Sequence, residues 1–154
     1  MSRVVFMCGP SGSGKTTYAR GLEADGMVRL SFDTETWRRG ITSLPVPQPV
    51  LVEIEAELRG RLLALVREGR DVVVDFPFST RQLRDDYRRL LAPTGVVPET
   101  VYLSVDRAVV LDRLRARGDT YGDDLRLGER LAQEHFDQFE PPTSQEGPLL
   151  VVSV

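Results

Sequence analysis

Apolar residues in this chain gather in short runs, separated by stretches in which they recur at helical spacing. Five such runs are Arg3 to Cys8, Met27 to Phe32, Asp71 to Phe76, Thr100 to Val105 and Leu149 to Val154. Short, largely aliphatic runs bounded by polar or glycine-containing segments predict strands buried on both faces. Val50 to Arg67 reads differently. Its apolar residues fall at 51, 54, 58, 62, 65 and 66, a helical period, and the pattern stops at Gly69. Helices are also predicted from near Gly14 to about Glu23, from Arg81 to Leu91, from Asp106 through about Arg115, and from Asp124 to Phe139, where Pro141-Pro142 ends the last one. Ser79 or Thr80 can cap the helix at 81, and Asp106 the one after it. Thr34 to Gly40 predicts one helical turn carrying Trp37, and Pro45, Pro47 and Pro49 break structure beyond it. Strands alternating with helices predict an α/β fold: a five-stranded parallel sheet sandwiched by helices, with right-handed crossovers.

Composition adds limits. A length of 154 residues predicts a single domain. No apolar run approaches the ~18 residues of a membrane span, and the apolar stretch at the N-terminus is too short for a signal peptide. With one cysteine, Cys8, no internal disulfide can form, so a reducing cytoplasm is the expected location. Cys8 itself reads as a small core residue at a strand end, not a nucleophile. The net charge of −3 offers no global attraction to nucleic acid.

The cations are less ordinary. Of twenty Lys and Arg residues, only Lys15 is lysine. It lies in Gly9-Pro10-Ser11-Gly12-Ser13-Gly14-Lys15-Thr16, a full match to G-x-x-x-x-G-K-[ST], with a predicted strand before it and a predicted helix after it. Glycines in such a turn let backbone N–H groups converge on phosphate oxygens. A slender ammonium can lie along the β- and γ-phosphates where a forked guanidinium is too wide. The Thr16 hydroxyl is the expected ligand for Mg²⁺, and Thr17 extends the nucleotide-contacting set. A guanine-specific switch in its usual form needs a second lysine, which this chain lacks, so the pattern favours ATP over GTP.

Other residues are candidates by position. Asp75 ends the run Val72-Val73-Val74-Asp75; it can hold Mg²⁺ through water, or simply shape a turn. Asp33 follows the second predicted strand, where open α/β sheets bind ligands; it can accept a proton from an attacking hydroxyl, or cap the Thr34–Gly40 turn. Arg113 and Arg117 share a helical face and can close over a triphosphate as a lid, at about residues 113–124, or form a solvated face. Arg81, Arg84 and Arg88 also share a face. The interleaved Asp85 and Asp86 make that face read as solvated, with Arg81 set apart by its closeness to Asp75. His135 reads as a surface residue with no metal cluster to join.

Taken together, these residues resemble a family of small P-loop kinase-like bacterial proteins related to polynucleotide 5′-kinase, chloramphenicol phosphotransferase and zeta toxins. The resemblance runs through Gly9–Thr16, Ser31-Phe32-Asp33, Val72–Asp75 with Arg81, the segment Asp112-Arg113-Leu114-Arg115-Ala116-Arg117-Gly118, and the tail Phe136–Pro142. It implies a P-loop NTPase fold of the nucleoside-monophosphate-kinase type and ATP-dependent phosphorylation of an acceptor hydroxyl. It also implies Asp33 as general base, Arg113 and Arg117 as the lid, and Asp75 at the metal and acceptor site. Thr36 stands where many members carry an arginine. Trp37, Arg38 and Arg81 are the remaining expected acceptor contacts. The acceptor itself stays open: a small molecule is the first reading, and a 5′-hydroxyl polynucleotide or an ATP-binding module without transfer activity are the alternatives. Lys15→Arg preserves charge but not shape, so phosphoryl transfer from γ-labelled ATP should be lost in that variant. Near-normal turnover would show the lone lysine to be accidental.

Overall fold

The computed structural model describes residues 2–10, 12–41, 46–76, 78–118, 133–134 and 136–153, with the side chains of 114–118 outside that description. Five strands form one sheet: β1 (Val4–Cys8), β2 (Val28–Ser31), β3 (Val72–Asp75), β4 (Glu99–Ser104) and β5 (Leu149–Ser153). Their order is β2-β3-β1-β4-β5, and every pairing is parallel. Helices α1 (Lys15–Ala24), α2 (Phe32–Arg38), α3 (Gln48–Arg67), α4 (Arg81–Leu91) and α5 (Arg107–Gly118) connect them. Each predicted strand is present within a few residues of its expected bounds. The expected lid segment beyond residue 118 and His135 lie outside the described residues. No helix among the described residues is long and apolar enough to cross a membrane.

Alternation along β1 explains the two-sided core. Val4, Phe6 and Cys8 face a cluster built with Val72, Val74, Ile54, Leu58, Leu62, Tyr87 and Leu91. Val5 and Met7 face the other cluster, with Ala19, Val73, Val101 and Leu103. The period-two side-chain alternation of a central strand thus meets α3 and α4 on one face and α1 on the other. Thr80, not Ser79, caps α4: its hydroxyl accepts the Leu83 N–H at 3.2 Å.

The solvated reading of Arg84 is wrong. Arg84 is fully buried, as is its partner Glu146, at side-chain exposures of 0% and 1%. Arg84 donates through Nε to Glu146 Oε1 at 2.8 Å and through Nη1 to the Phe78 carbonyl at 2.8 Å. Glu146 also accepts from Arg88 Nη1 at 3.2 Å and from the Thr143 N–H at 2.8 Å. A helix-face pattern cannot reveal an anion 62 residues further along the chain. That anion is what makes burial of the guanidinium tolerable.

Burial alone would push the Glu146 carboxyl up. The hydrogen bonds from Arg84, the Thr143 N–H and Arg88 outweigh it and bring the pKa down to about 2. The stability this group contributes is therefore complete above its ordinary value of about 4.5 and is lost as the pH falls toward 2. Glu146→Ala leaves Arg84 buried without its counter-ion and should cost about 3–5 kcal/mol, lowering Tm by roughly 6–20 °C. Thermal melts at pH 7 check this; an unchanged Tm overturns it.

Candidate functional site

The loop after β1 turns under tight steric limits. A Cβ placed on Gly9 would sit 2.6 Å from Ser13 Oγ and 3.2 Å from the Leu103 carbonyl oxygen, so no side chain fits there. Gly14 precedes α1 with φ +97°, a left-handed conformation that glycine adopts without strain. Helix α1 therefore begins with no side-chain cap and no acidic residue in its first turn. Its first N–H groups and positive dipole end are left for an external anion. The Ser13 hydroxyl is buried without a partner among the described residues. These features fit a polyphosphate. Ser11 lies outside the described residues.

Lys15 folds back over the loop, donating from Nζ to the Gly9 carbonyl at 2.8 Å. Burial pushes its ammonium pKa below the ordinary value, against the opposing pull of Asp75, Cys8 and Asp33. Thr16 Oγ1 donates to Asp75 Oδ2 at 3.2 Å, so the two residues expected to serve one metal do meet. Among the described residues there is no group of three His, Cys, Asp or Glu side chains able to hold a metal. A hydroxyl and one carboxylate suit Mg²⁺, which takes its other ligands from water and phosphate. Thr17 lines the adjoining cleft of about 360 Å³ with Gly12, Gly14, Tyr18, Leu103, Arg113 and Val152. Pro10 closes the loop from behind, its carbonyl accepting the Ser13 N–H at 3.1 Å.

Arg113 reaches this loop from α5. Its Nη1 donates to the Gly12 carbonyl at 3.0 Å, across 101 residues of sequence. The Arg117 side chain lies outside the described residues. Asp33 is the second residue of α2 and exposed. It does not cap the helix: Ser31 does, accepting the Thr34 N–H at 3.2 Å. No hydrogen bond among the described residues uses the Asp33 carboxylate, while its charge is felt at Lys15. Helix α2 is fixed by Glu35, a buried carboxylate within 3.5 Å of Arg38, 3.6 Å of Arg39 and 3.6 Å of Arg61 on α3. That ion cluster holds α2 against α3 and so sets where Asp33 stands.

Not every expected residue gathers here. Arg38 pairs with Glu35 and is largely exposed, and Trp37 is 68% exposed. Arg81 begins α4 with its side chain 3.5 Å from Asp85 rather than turned to Asp75. Two residues escaped the sequence reading. Arg29 on β2 donates from Nη1 to Asp75 Oδ2 at 3.2 Å and from Nη2 to Thr34 Oγ1 at 3.3 Å. A charged residue inside the otherwise apolar run Met27–Phe32 was its available signal. For Glu35 the available signal was Arg38 and Arg39 at i+3 and i+4; its third partner, Arg61, is distant in sequence. Cys8 matches its core reading: it is fully buried, and burial raises its thiol pKa to about 11, so it holds little thiolate at neutral pH.

Solved structures with this fold span nearly all of the chain. A sugar kinase from Janibacter sp. HTCC2649 is 22% identical, with a TM-score of 0.67 over 99% of this chain and 86% of its own. A gluconokinase from Sinorhizobium meliloti 1021 is 23% identical, with a TM-score of 0.68 over 99% and 82%. A chain of the Pnkp1/Rnl/Hen1 RNA repair complex is 19% identical, with a TM-score of 0.72 over 89% of this chain but 43% of that one. At these identities the likeness establishes the fold, that of P-loop kinases. No curated protein sequence matches the chain significantly. The family model of the AAA domain matches residues 4–142, from the first strand past the last helix, and the chain belongs to that family.

Proposed function

We propose that this chain is an ATP-dependent phosphotransferase that moves the γ-phosphoryl group of Mg·ATP onto a hydroxyl of a small-molecule acceptor. The observation that carries this reading is the convergence of charge at one end of the sheet. Lys15, the uncapped start of α1, the Thr16–Asp75 pair and Arg113 all meet at the loop after β1. Sheet order supports two substrate sides. The cleft bearing Leu103 and Val152 lies toward β4 and β5, and suits the nucleoside of the donor. Strands β3 and β2 end on the other side, at Asp75 and just before Asp33.

In this reading the loop N–H groups and Lys15 bind the phosphates of ATP, and Arg113 and Arg117 offset charge developing on the transferred group. Thr16, backed by Asp75, would hold Mg²⁺, which when bound would neutralise charge on the phosphate oxygens. The acceptor oxygen attacks the γ-phosphorus while its proton passes to Asp33. The bond from that phosphorus to the β–γ bridging oxygen breaks, and ADP leaves. Arg29 orients the Asp75 carboxylate through its 3.2 Å hydrogen bond. Trp37, Arg38 and Arg81 remain proposed acceptor contacts that would have to turn inward on binding.

Asp33→Asn should lower kcat for transfer from γ-labelled ATP by about 10²–10⁴, with ATP affinity nearly unchanged. Normal turnover in that variant removes Asp33 as the base. Slow ATP consumption without transfer to any acceptor would point instead to an ATPase module. Arg113→Met should cost roughly 10³ in kcat, the lower end for an arginine acting on a transferring phosphoryl group. Steady-state kinetics at saturating ATP measure it, and a change in ATP affinity alone would reduce Arg113 to a binding role.

A further inference from the structure

A second cleft, of about 230 Å³, opens beyond the ends of β2 and β3. Its lining comes from four elements: Phe32 at the start of α2, Leu51, Val52 and Glu55 on α3, Phe76 after β3, and Leu83 and Tyr87 on α4, with Gln48 at the exposed start of α3. Two of these residues are chain neighbours of the two acids. Phe32 adjoins Asp33, and Phe76 adjoins Asp75. The cleft therefore flanks β3 on the side opposite the one bearing Leu103 and Val152.

Its chemistry is distinctive. Phe32 and Phe76 meet edge to face at 6.4 Å between ring centroids, and Phe76 and Tyr87 do so at 5.5 Å. Phe76 and Tyr87 are 3% and 2% exposed, so they form the floor of the cleft, and the surface open to a ligand comes from Phe32, Leu51, Val52 and Leu83 above it. Among the described lining residues, Gln48 and Glu55 bring the charged or amide groups, and Glu55 is engaged by Arg59 at 2.9 Å. The volume exceeds the ~150 Å³ of an apolar cavity that admits benzene, leaving room for one ring and a short substituent. A sugar or polyol would bury several hydroxyls here with few partners, each costing roughly a factor of ten in affinity.

We infer that this cleft selects the acceptor, and that the acceptor is an alcohol whose hydroxyl-bearing carbon is attached to a compact apolar body of about one ring. The inference rests on the phosphotransferase reading for the reaction, but not for the binding. The ring rests on Phe32, Leu51, Val52 and Leu83 above the buried Phe76 and Tyr87, and the hydroxyl points toward Asp33.

The test presents the full chain and Mg·ATP with 2-phenylethanol or cyclohexylmethanol, and separately with glucose, gluconate or a 5′-hydroxyl oligonucleotide, and measures γ-phosphoryl transfer. The expected result is a kcat/KM at least tenfold higher for the two apolar alcohols. Val52→Gln, at an exposed position of the cleft, should raise their KM at least fivefold, with Tm and ATP affinity serving as fold controls. A preference for glucose, gluconate or the oligonucleotide overturns the inference. Binding of 2-phenylethanol to the ADP-loaded chain is titrated separately. Binding that Val52→Gln weakens, with no acceptor phosphorylated, would leave the cleft assignment standing and sink the phosphotransferase reading. Absence of binding sinks the cleft assignment whatever else is phosphorylated.

Discussion

The buried pair of Arg84 and Glu146 is the constraint on which the active end of the sheet rests. Arg84 enters the core only because a carboxylate from the C-terminal segment meets it there. Once inside, it grips the Phe78 carbonyl and lies 3.7 Å from Cys8 Sγ. Cys8 is the last residue of β1, directly before the phosphate loop, and Phe78 follows shortly after Asp75. One guanidinium thus joins the two strand ends that carry Lys15 and Asp75. Arg88 extends the tie to β4 by donating to Thr100 Oγ1 at 3.0 Å. The cost of desolvating these charges makes them a poor source of net stability, but loss of any one partner is severe, so the arrangement tolerates few alternatives.

Strand order turns this anchoring into a division of space. With β3 between β1 and β2, the Asp75 carboxylate stands beside Thr16 on one side and Arg29 on the other. The polar loop, with Arg113 docked on Gly12, faces the cleft toward β4 and β5. The aromatic wall occupies the opposite flank.

The fold was readable from sequence because a buried parallel sheet writes itself as short apolar runs alternating with helical periods. All five strands and the helices from α1 to α5 follow that code. The phosphate loop was equally plain, since its conformation needs glycine at fixed places: Gly9 has no room for a Cβ, and Gly14 is left-handed. What escaped depends on distant partners. Arg84 looked solvated because Asp85 and Asp86 are its neighbours in sequence, while Glu146 is not. The contacts that place Glu35 and Arg29, to Arg61 on α3 and Asp75 on β3, are likewise remote in sequence. The aromatic wall combines four separated segments, none of which is unusual alone. Asp33 by its position could cap α2 or serve chemistry; Ser31 takes the cap.

The lysine in the phosphate loop has a practical consequence. In the whole chain only one side chain ends in a primary amine, and that amine rests against the Gly9 carbonyl. Burial lowers its basicity relative to an exposed lysine. An amine-directed acylating reagent therefore has a single ε-amino target, apart from the chain terminus. Protection of that one mass increment would report occupancy of the loop directly, with no engineered label and no background from other lysines.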